Sequence, residues 1–135
     1  MRTRQRPTLL LGGAVVVIAV SWIGLAFMGG GDADRSPEAD ALAGVCETLS
    51  AASTGGDVRR PFYDDAHEGL HTLASDVTDL DRAVAARLLR AKERVESALD
   101  EQFPQEQITS MVQNLAEATQ DAVRVIDPSS EEGCP

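Results

Sequence analysis

Two histidines, His67 and His71, lie four positions apart in the segment HEGLH, and the chain contains no other histidine. On a helix this spacing places both imidazoles on one side, one turn apart. Asp64 precedes His67 by three residues and Glu68 follows it directly, so two ring nitrogens and one or two carboxylates could surround a divalent cation. The pattern therefore predicts metal binding by His67, His71, Asp64 and Glu68, with zinc, copper or iron as the candidate ion.

The segment HEGLH resembles the His-Glu-x-x-His signature of the zincin metalloproteases over five residues of 135. In that family the two histidines bind zinc and the glutamate is the general base. The resemblance therefore implies His67 and His71 as ligands and Glu68 as the base of a peptidase. Glu93 or Glu96, from another helix, could supply a third ligand, and the sequence does not choose between them.

A structural interpretation of the same histidine pair is simpler. At about 100° per residue, the apolar side of this helix centres between Leu73, Ala66 and Val77. His67 then lies about 100° from that centre and His71 about 140°. This arithmetic predicts His67 at the boundary of the core and His71 in solvent, where neither histidine needs a ligand.

The two cysteines, Cys46 and Cys134, form an even pair in the part of the chain that we expect to be exported. Their bond would close a loop of roughly 90 residues and would stabilise the fold by about 4 to 5 kcal/mol at most. It would also hold the C-terminal tail, residues 128–135, against the first helix. The pair lacks the Cys-x-x-Cys spacing that is typical of redox-active cysteines.

Residues 9–28 form an apolar run without a charged side chain, long enough as a helix to cross the ~30 Å hydrocarbon layer of a bilayer. Arg2, Arg4 and Arg6 precede this run, so the positive-inside rule predicts a cytoplasmic basic tail over residues 1–8. We therefore expect a single-pass signal anchor in the cell membrane, with the lipid bilayer as a partner and the C-terminal domain outside.

A cleaved secretory signal is the alternative interpretation of the same run, although its apolar region usually has only about 7 to 15 residues. Both alternatives export the rest of the chain. Residues 29–35, with the sequence GGGDADR, are predicted to be a flexible linker.

Helical signals dominate residues 36–127. Ser36, Pro37 and Glu38 predict the start of a first helix, and the segment STGGD at 53–57 predicts its end. Its apolar positions recur every three or four residues: Ala39, Leu42, Val45, Cys46, Leu49 and Ala52. A last helix is predicted from about Pro104 to Ile126, ended by Asp127 and Pro128.

Between these two helices, apolar residues keep one helical phase from Phe62 through Leu80 to Leu99. One helix over residues 61–101 is possible, but the weak helix formers at 75–79 favour two helices, with Thr78 as the cap of the second. No run of alternating apolar and polar residues is long enough to predict a β-strand. The prediction is an all-α bundle of three or four antiparallel helices that is stapled by one disulfide.

The chain is strongly acidic, with a formal net charge of −10. Residues 29–135 contain all 22 acidic residues and nine of the 12 basic ones, which gives 9 − 22 = −13. Nucleic acid is therefore not an expected partner. Arg87, Arg90 and Arg94 are predicted to form a solvated ridge that pairs with acids of the adjoining helix.

The sequence predicts a non-catalytic accessory or interaction module on the outer side of the membrane, with a membrane or extracytoplasmic protein as its partner. The second possibility is binding or sensing of a divalent metal through the histidine pair, and the third is a zincin-like peptidase. No nucleophile elbow, phosphate-binding glycine loop or dinucleotide fingerprint occurs in the sequence. The balance is therefore against an enzyme and against a resident cofactor other than a metal.

Overall fold

A computed structural model describes residues 36–135 of the chain. The predicted basic tail, transmembrane helix and linker, over residues 1–8, 9–28 and 29–35, lie outside the described residues. Within residues 36–135, no helix is long and apolar enough to cross a bilayer.

The described residues form four α-helices and no strand, which confirms the all-α prediction for this part of the chain. The helices are α1 (Pro37–Thr54), α2 (His67–Thr78), α3 (Arg82–Asp100) and α4 (Gln105–Ile126). A π-helical segment, Pro61–Ala66, runs directly into α2. Helices α1 and α3 each pack against α2 and α4, and α2 also contacts α4.

The predicted ends of α1 are confirmed. The hydroxyl oxygen of Ser36 accepts a hydrogen bond from the backbone N–H of Ala39 at 3.3 Å, and Pro37 is the first helical residue. Gly55 ends the helix with a φ of 72°, a left-handed conformation that glycine adopts at little cost.

The predicted break between α2 and α3 is also confirmed, but its capping residue is Asp81 and not Thr78. The Asp81 carboxylate accepts hydrogen bonds from the backbone N–H groups of Ala83 and Val84, at 2.9 and 3.0 Å. The Thr78 hydroxyl instead donates to the carbonyl of Ala74, within α2. Leu80, which shares the apolar helical phase in the sequence, lies in the connection between the helices and is 63% exposed.

One apolar core connects all four helices. Its largest fully buried side chains are Phe62, Leu70, Leu73, Leu88, Leu115, Val45, Val77, Val95, Val112, Thr48 and Thr119. The two threonines are accommodated because each hydroxyl donates to a carbonyl one turn earlier in its own helix, at 2.8 Å.

Helix α1 lies unusually close to the π-helical segment. A Cβ atom added at Gly44 would lie 2.6 Å from the carbonyl oxygen of Asp65 and 2.9 Å from the Cα atom of Ala66. A Cβ atom added at Gly69 of α2 would lie 3.0 Å from the Cβ atom of Ala41 in α1. Small residues at these crossings let the backbones approach.

The predicted disulfide is present between Cys46 of α1 and Cys134, which lie 88 residues apart in the sequence. Both cysteines pack against the core. The bond holds the tail that follows α4 against α1, as the sequence predicts. Just after α4, the Asp127 carboxylate accepts hydrogen bonds from the hydroxyl and the backbone N–H of Ser129, which lower the pKa of Asp127.

Candidate functional site

The π-helical segment and the first turn of α2 bring four rings together. The backbone N–H of His67 bonds to the carbonyl of Phe62, five residues earlier, which closes the π turn. Ring centroids lie 6.0 Å apart for Phe62 and His67, 5.7 Å for Tyr63 and His67, and 5.0 Å for His67 and His71. Phe62 is fully buried and therefore anchors this group to the core.

A carboxylate from α3 completes the arrangement. Oxygen Oε1 of Glu96 lies 2.8 Å from Nε2 of His67 and 2.7 Å from Nζ of Lys92. The side chain of Lys92 is only 4% exposed, so its ammonium group depends on this carboxylate. We refer to Tyr63, His67, His71, Lys92 and Glu96 as the His67 cluster.

The electrostatics of the His67 cluster keep Glu96 ionised. Burial raises the pKa of the Glu96 carboxyl, but the hydrogen bonds from Lys92 and His67, together with their charges, lower it more. The resulting pKa lies below the ordinary value of 4.5. A carboxylate only accepts hydrogen bonds, so His67 donates from Nε2 and its neutral form carries a lone pair on Nδ1.

The four predicted metal ligands are only partly brought together. His67 lies at the edge of the core and His71 is exposed, as the helical arithmetic predicts. Asp64 points to Arg60, at 3.9 Å, with 68% of its side chain exposed. Glu68 is exposed as well. Within residues 36–135, no group of three or more His, Cys, Asp or Glu side chains converges as a metal site would.

The sequence alone does not choose between Glu93 and Glu96, and Lys92 is not among the site residues that it predicts. The structure places Glu96 beside His67. Lys92 precedes Glu96 by four residues and follows the buried Leu88 by four, so it continues the apolar stripe of α3. That spacing is the signal that could have identified a buried lysine paired with a carboxylate.

Arg59, just before the π-helical segment, ties this part of the chain to the end of α3. Its guanidinium donates to the carbonyl of Leu99 at 2.8 Å and to the carboxylate of Asp100 at 3.1 Å, both at the end of α3. The same group lies 5.6 Å from the centroid of the Tyr63 ring. Burial and the negative charge of Asp100 raise the pKa of Tyr63.

A second surface runs along the seam between α3 and α4. Three adjoining cavities of about 400, 330 and 290 Å³ are lined by residues 87–98 of α3 and 107–121 of α4, with Phe103 at one end. We call this surface the α3–α4 groove. Arg94 lines all three cavities, and Arg90 lines two of them.

The predicted arginine ridge forms one wall of the α3–α4 groove. Arg87 pairs with Asp121 of α4 at 3.3 Å, as expected for a ridge beside an acidic helix. Arg90 and Arg94 form no ion pair with any residue of the described range 36–135. These two guanidinium groups are therefore available to groups outside the bundle.

Comparison of the chain with known protein families, curated proteins and solved structures finds no match. Function therefore has to be inferred from the residues themselves. The described residues contain two candidate functional sites, the His67 cluster and the α3–α4 groove.

Proposed function

We propose that the protein is a single-pass membrane-anchored helical module that binds another protein on the outer side of the membrane and performs no catalysis. The observation that supports this function is the α3–α4 groove. It is an open surface with an apolar floor and two arginines that pair with no acidic residue of the described range 36–135, on an acidic domain. A partner that covered this groove would bury apolar surface and neutralise both arginines.

The proposed location follows from two features. The apolar run over residues 9–28, with basic residues before it, is typical of a signal anchor that leaves its N-terminus in the cytoplasm. The bond between Cys46 and Cys134 is consistent with an oxidising compartment for the domain.

Labelling in intact cells tests the orientation. A cysteine introduced by Asp76→Cys, at an exposed position of α2 that lines none of the groove's cavities, should react with a thiol probe that cannot cross membranes. The same substitution should stay unlabelled if the domain faces the cytoplasm, and labelling only after lysis would refute the proposed orientation.

Photocrosslinking tests the interaction. A benzophenone amino acid is placed at Ser110, which lines the groove, or at Asp76, an exposed position of α2 that lines none of its cavities. In its own membrane, the full chain should give discrete cross-linked products from position 110 and not from position 76. Products that are the same at both positions, or absent from both, would contradict an interaction through this groove.

Metal binding by His67 and His71 is the second candidate function, and one observation favours it. Glu96 accepts a hydrogen bond from Nε2 of His67 at 2.8 Å, an arrangement that orients metal-binding histidines in other proteins through their second ring nitrogen. Nδ1 of His67 and the exposed ring of His71 would bind the ion, and water would fill the remaining positions.

Calorimetric titration of the full chain with zinc, copper and iron tests this candidate. Stoichiometric binding should disappear when His67→Ala and His71→Ala are combined, and Glu96→Gln should weaken it by roughly tenfold or more. Binding that survives the double substitution would refute these ligands. A zincin-like peptidase, the remaining alternative, requires metal binding first, so the same titration decides whether a peptidase assay is worthwhile.

A further inference from the structure

The dimensions of the α3–α4 groove suit a helical segment. Residues 87–98 of α3 line it, and their eleven rises of ~1.5 Å make the groove ~17 Å long. That length corresponds to about three turns of a helix. The three cavities follow one another along the seam, since each shares lining residues with the next.

The floor of the groove consists of small and adaptable side chains. Ala91 and Ala98 of α3 and Ala118 of α4 line it, so the backbone of a third helix could approach closely. Met111 and Phe103 are partly buried and border the largest of the three groove cavities. Methionine and aromatic residues are enriched where protein surfaces meet.

The charge of the groove differs from that of the rest of the domain. The two cavities nearest Phe103 are lined by two cations, Arg90 and Arg94, and one anion, Glu93. The third cavity is lined by three cations, Arg87, Arg90 and Arg94, and by two anions, Glu117 and Asp121. Each of these two parts of the groove therefore has one more cation than anions in its lining, although residues 29–135 have a net charge of −13.

From these observations we infer that the α3–α4 groove binds an amphipathic helix of a partner protein, with apolar residues on one side and acidic residues beside them. This inference rests on the proposed interaction function and specifies the partner's chemistry. The apolar side contacts the alanine floor and Met111, and the carboxylates pair with Arg90 and Arg94. Arginine suits this role because its planar guanidinium binds carboxylates with two parallel hydrogen bonds.

An anionic lipid surface is the competing occupant, and the structure disfavours it. A headgroup layer is flat, whereas the groove is concave and elongated. The acidic remainder of the domain would also be repelled by such a layer.

Fluorescence anisotropy with designed peptides tests the inference. The protein is the full oxidised chain in nonionic detergent micelles, and empty micelles give the background. The probe is a labelled amphipathic peptide of roughly 14 residues, long enough to cover the groove, with leucines on one side and glutamates beside them. A second peptide has lysine in place of every glutamate. We expect saturable, salt-sensitive binding of the glutamate peptide only.

Charge reversal locates the binding surface. Combining Arg90→Glu with Arg94→Glu should weaken binding of the glutamate peptide by roughly tenfold or more and should create binding of the lysine peptide. The control combines Arg82→Glu with Arg60→Glu, which changes net charge equally at exposed positions that line none of the three cavities. Circular dichroism establishes that both double variants are folded.

Each outcome decides the inference. Equal weakening in the control variant would mean non-specific attraction and would overturn it, as would the absence of glutamate-peptide binding to the unaltered chain. Binding of phosphatidylserine vesicles that is lost with Arg90→Glu and Arg94→Glu, without peptide binding, would assign the groove to lipid. If cross-links from position 110 persist while no peptide binds, the interaction function stands and only the inferred partner chemistry fails.

Discussion

At the scale of single residues, Glu96 connects two helices through one oxygen atom. That oxygen accepts hydrogen bonds from Lys92 on its own helix and from His67 on α2. Lys92 is 4% exposed, so most of its ammonium hydration is lost on folding. An unpaired charge in such a place costs several kcal/mol, whereas a hydrogen-bonded pair is tolerated. Glu96 therefore stabilises the fold mainly by making the buried lysine tolerable.

Removing Glu96 should expose this dependence. Glu96→Ala leaves the Lys92 ammonium without its partner, and we expect the free energy of unfolding to fall by about 2 to 3 kcal/mol. Adding Lys92→Met removes the charge and should recover at least half of that loss. Urea denaturation of the single and double variants measures both effects.

The control is Glu93→Ala, at an exposed neighbouring position, which should change the free energy of unfolding by less than about 0.5 kcal/mol. Additive effects of Glu96→Ala and Lys92→Met would contradict the pairing.

The pH dependence of stability follows from the lowered pKa of Glu96. As the pH falls below about 4.5, the unfolded chain binds the proton first, since its carboxyl has the higher pKa. The contribution of Glu96 is therefore complete at neutral pH and is lost as the pH falls through the pKa of the folded state. The stability difference between the unaltered chain and Glu96→Gln should shrink from pH 7 to about pH 3. A constant difference, measured by urea denaturation at each pH, would argue against this account.

The positions of His67 and His71 were predictable, but their environment was not. Rotation by about 100° per residue suffices to place His67 at the core boundary and His71 in solvent. The contact between His67 and Glu96 depends on how α2 docks against α3, which no local pattern encodes. The metal prediction chose Asp64 and Glu68 because they are near in sequence, whereas the carboxylate that contacts His67 comes from another helix.

At the scale of elements, the helix ends were largely predictable because local chemistry determines them. Ser36 with Pro37 begins α1, Gly55 ends it, and Pro104 precedes α4. The π-helical segment could not be predicted in the same way. It lies where the backbone of Asp65 approaches Gly44 of α1. This contact joins two segments that are distant in the sequence, so no local pattern indicates it.

Gly44→Ala tests that contact. The added Cβ atom would lie 2.6 Å from the carbonyl oxygen of Asp65, and this backbone atom cannot rotate away. We expect the free energy of unfolding to fall by about 1 to 3 kcal/mol, the range for overpacked cores. At Gly56 the nearest atom, the carbonyl oxygen of Ala51, is 3.4 Å away, so Gly56→Ala is the milder control. Thermal denaturation compares them, and equal melting temperatures would show that the close approach carries no energetic weight.

At the scale of the whole molecule, charge and cross-linking act together. Residues 29–135 have a net charge of −13. Repulsion among these negative charges destabilises the compact folded state. The cationic stretch on α3 and the bond from Cys46 to Cys134 both oppose that tendency. The disulfide could be predicted from the sequence, and so could the arginine ridge, although among its three arginines only Arg87 pairs with an acidic residue of the described range. The α3–α4 groove could not, because its second wall comes from the docking of α4.

Breaking the disulfide should therefore have a large effect. In the chain-entropy account, a loop that joins residues 88 apart stabilises the fold by about 4 to 5 kcal/mol at most. Combining Cys46→Ser with Cys134→Ser should lower the free energy of unfolding by most of that amount, as measured by urea denaturation. Reduction of the unaltered chain should give the same loss, since it removes the same constraint. A loss below about 1 kcal/mol would mean that the unfolded chain is already compact enough for the cross-link to restrict it little.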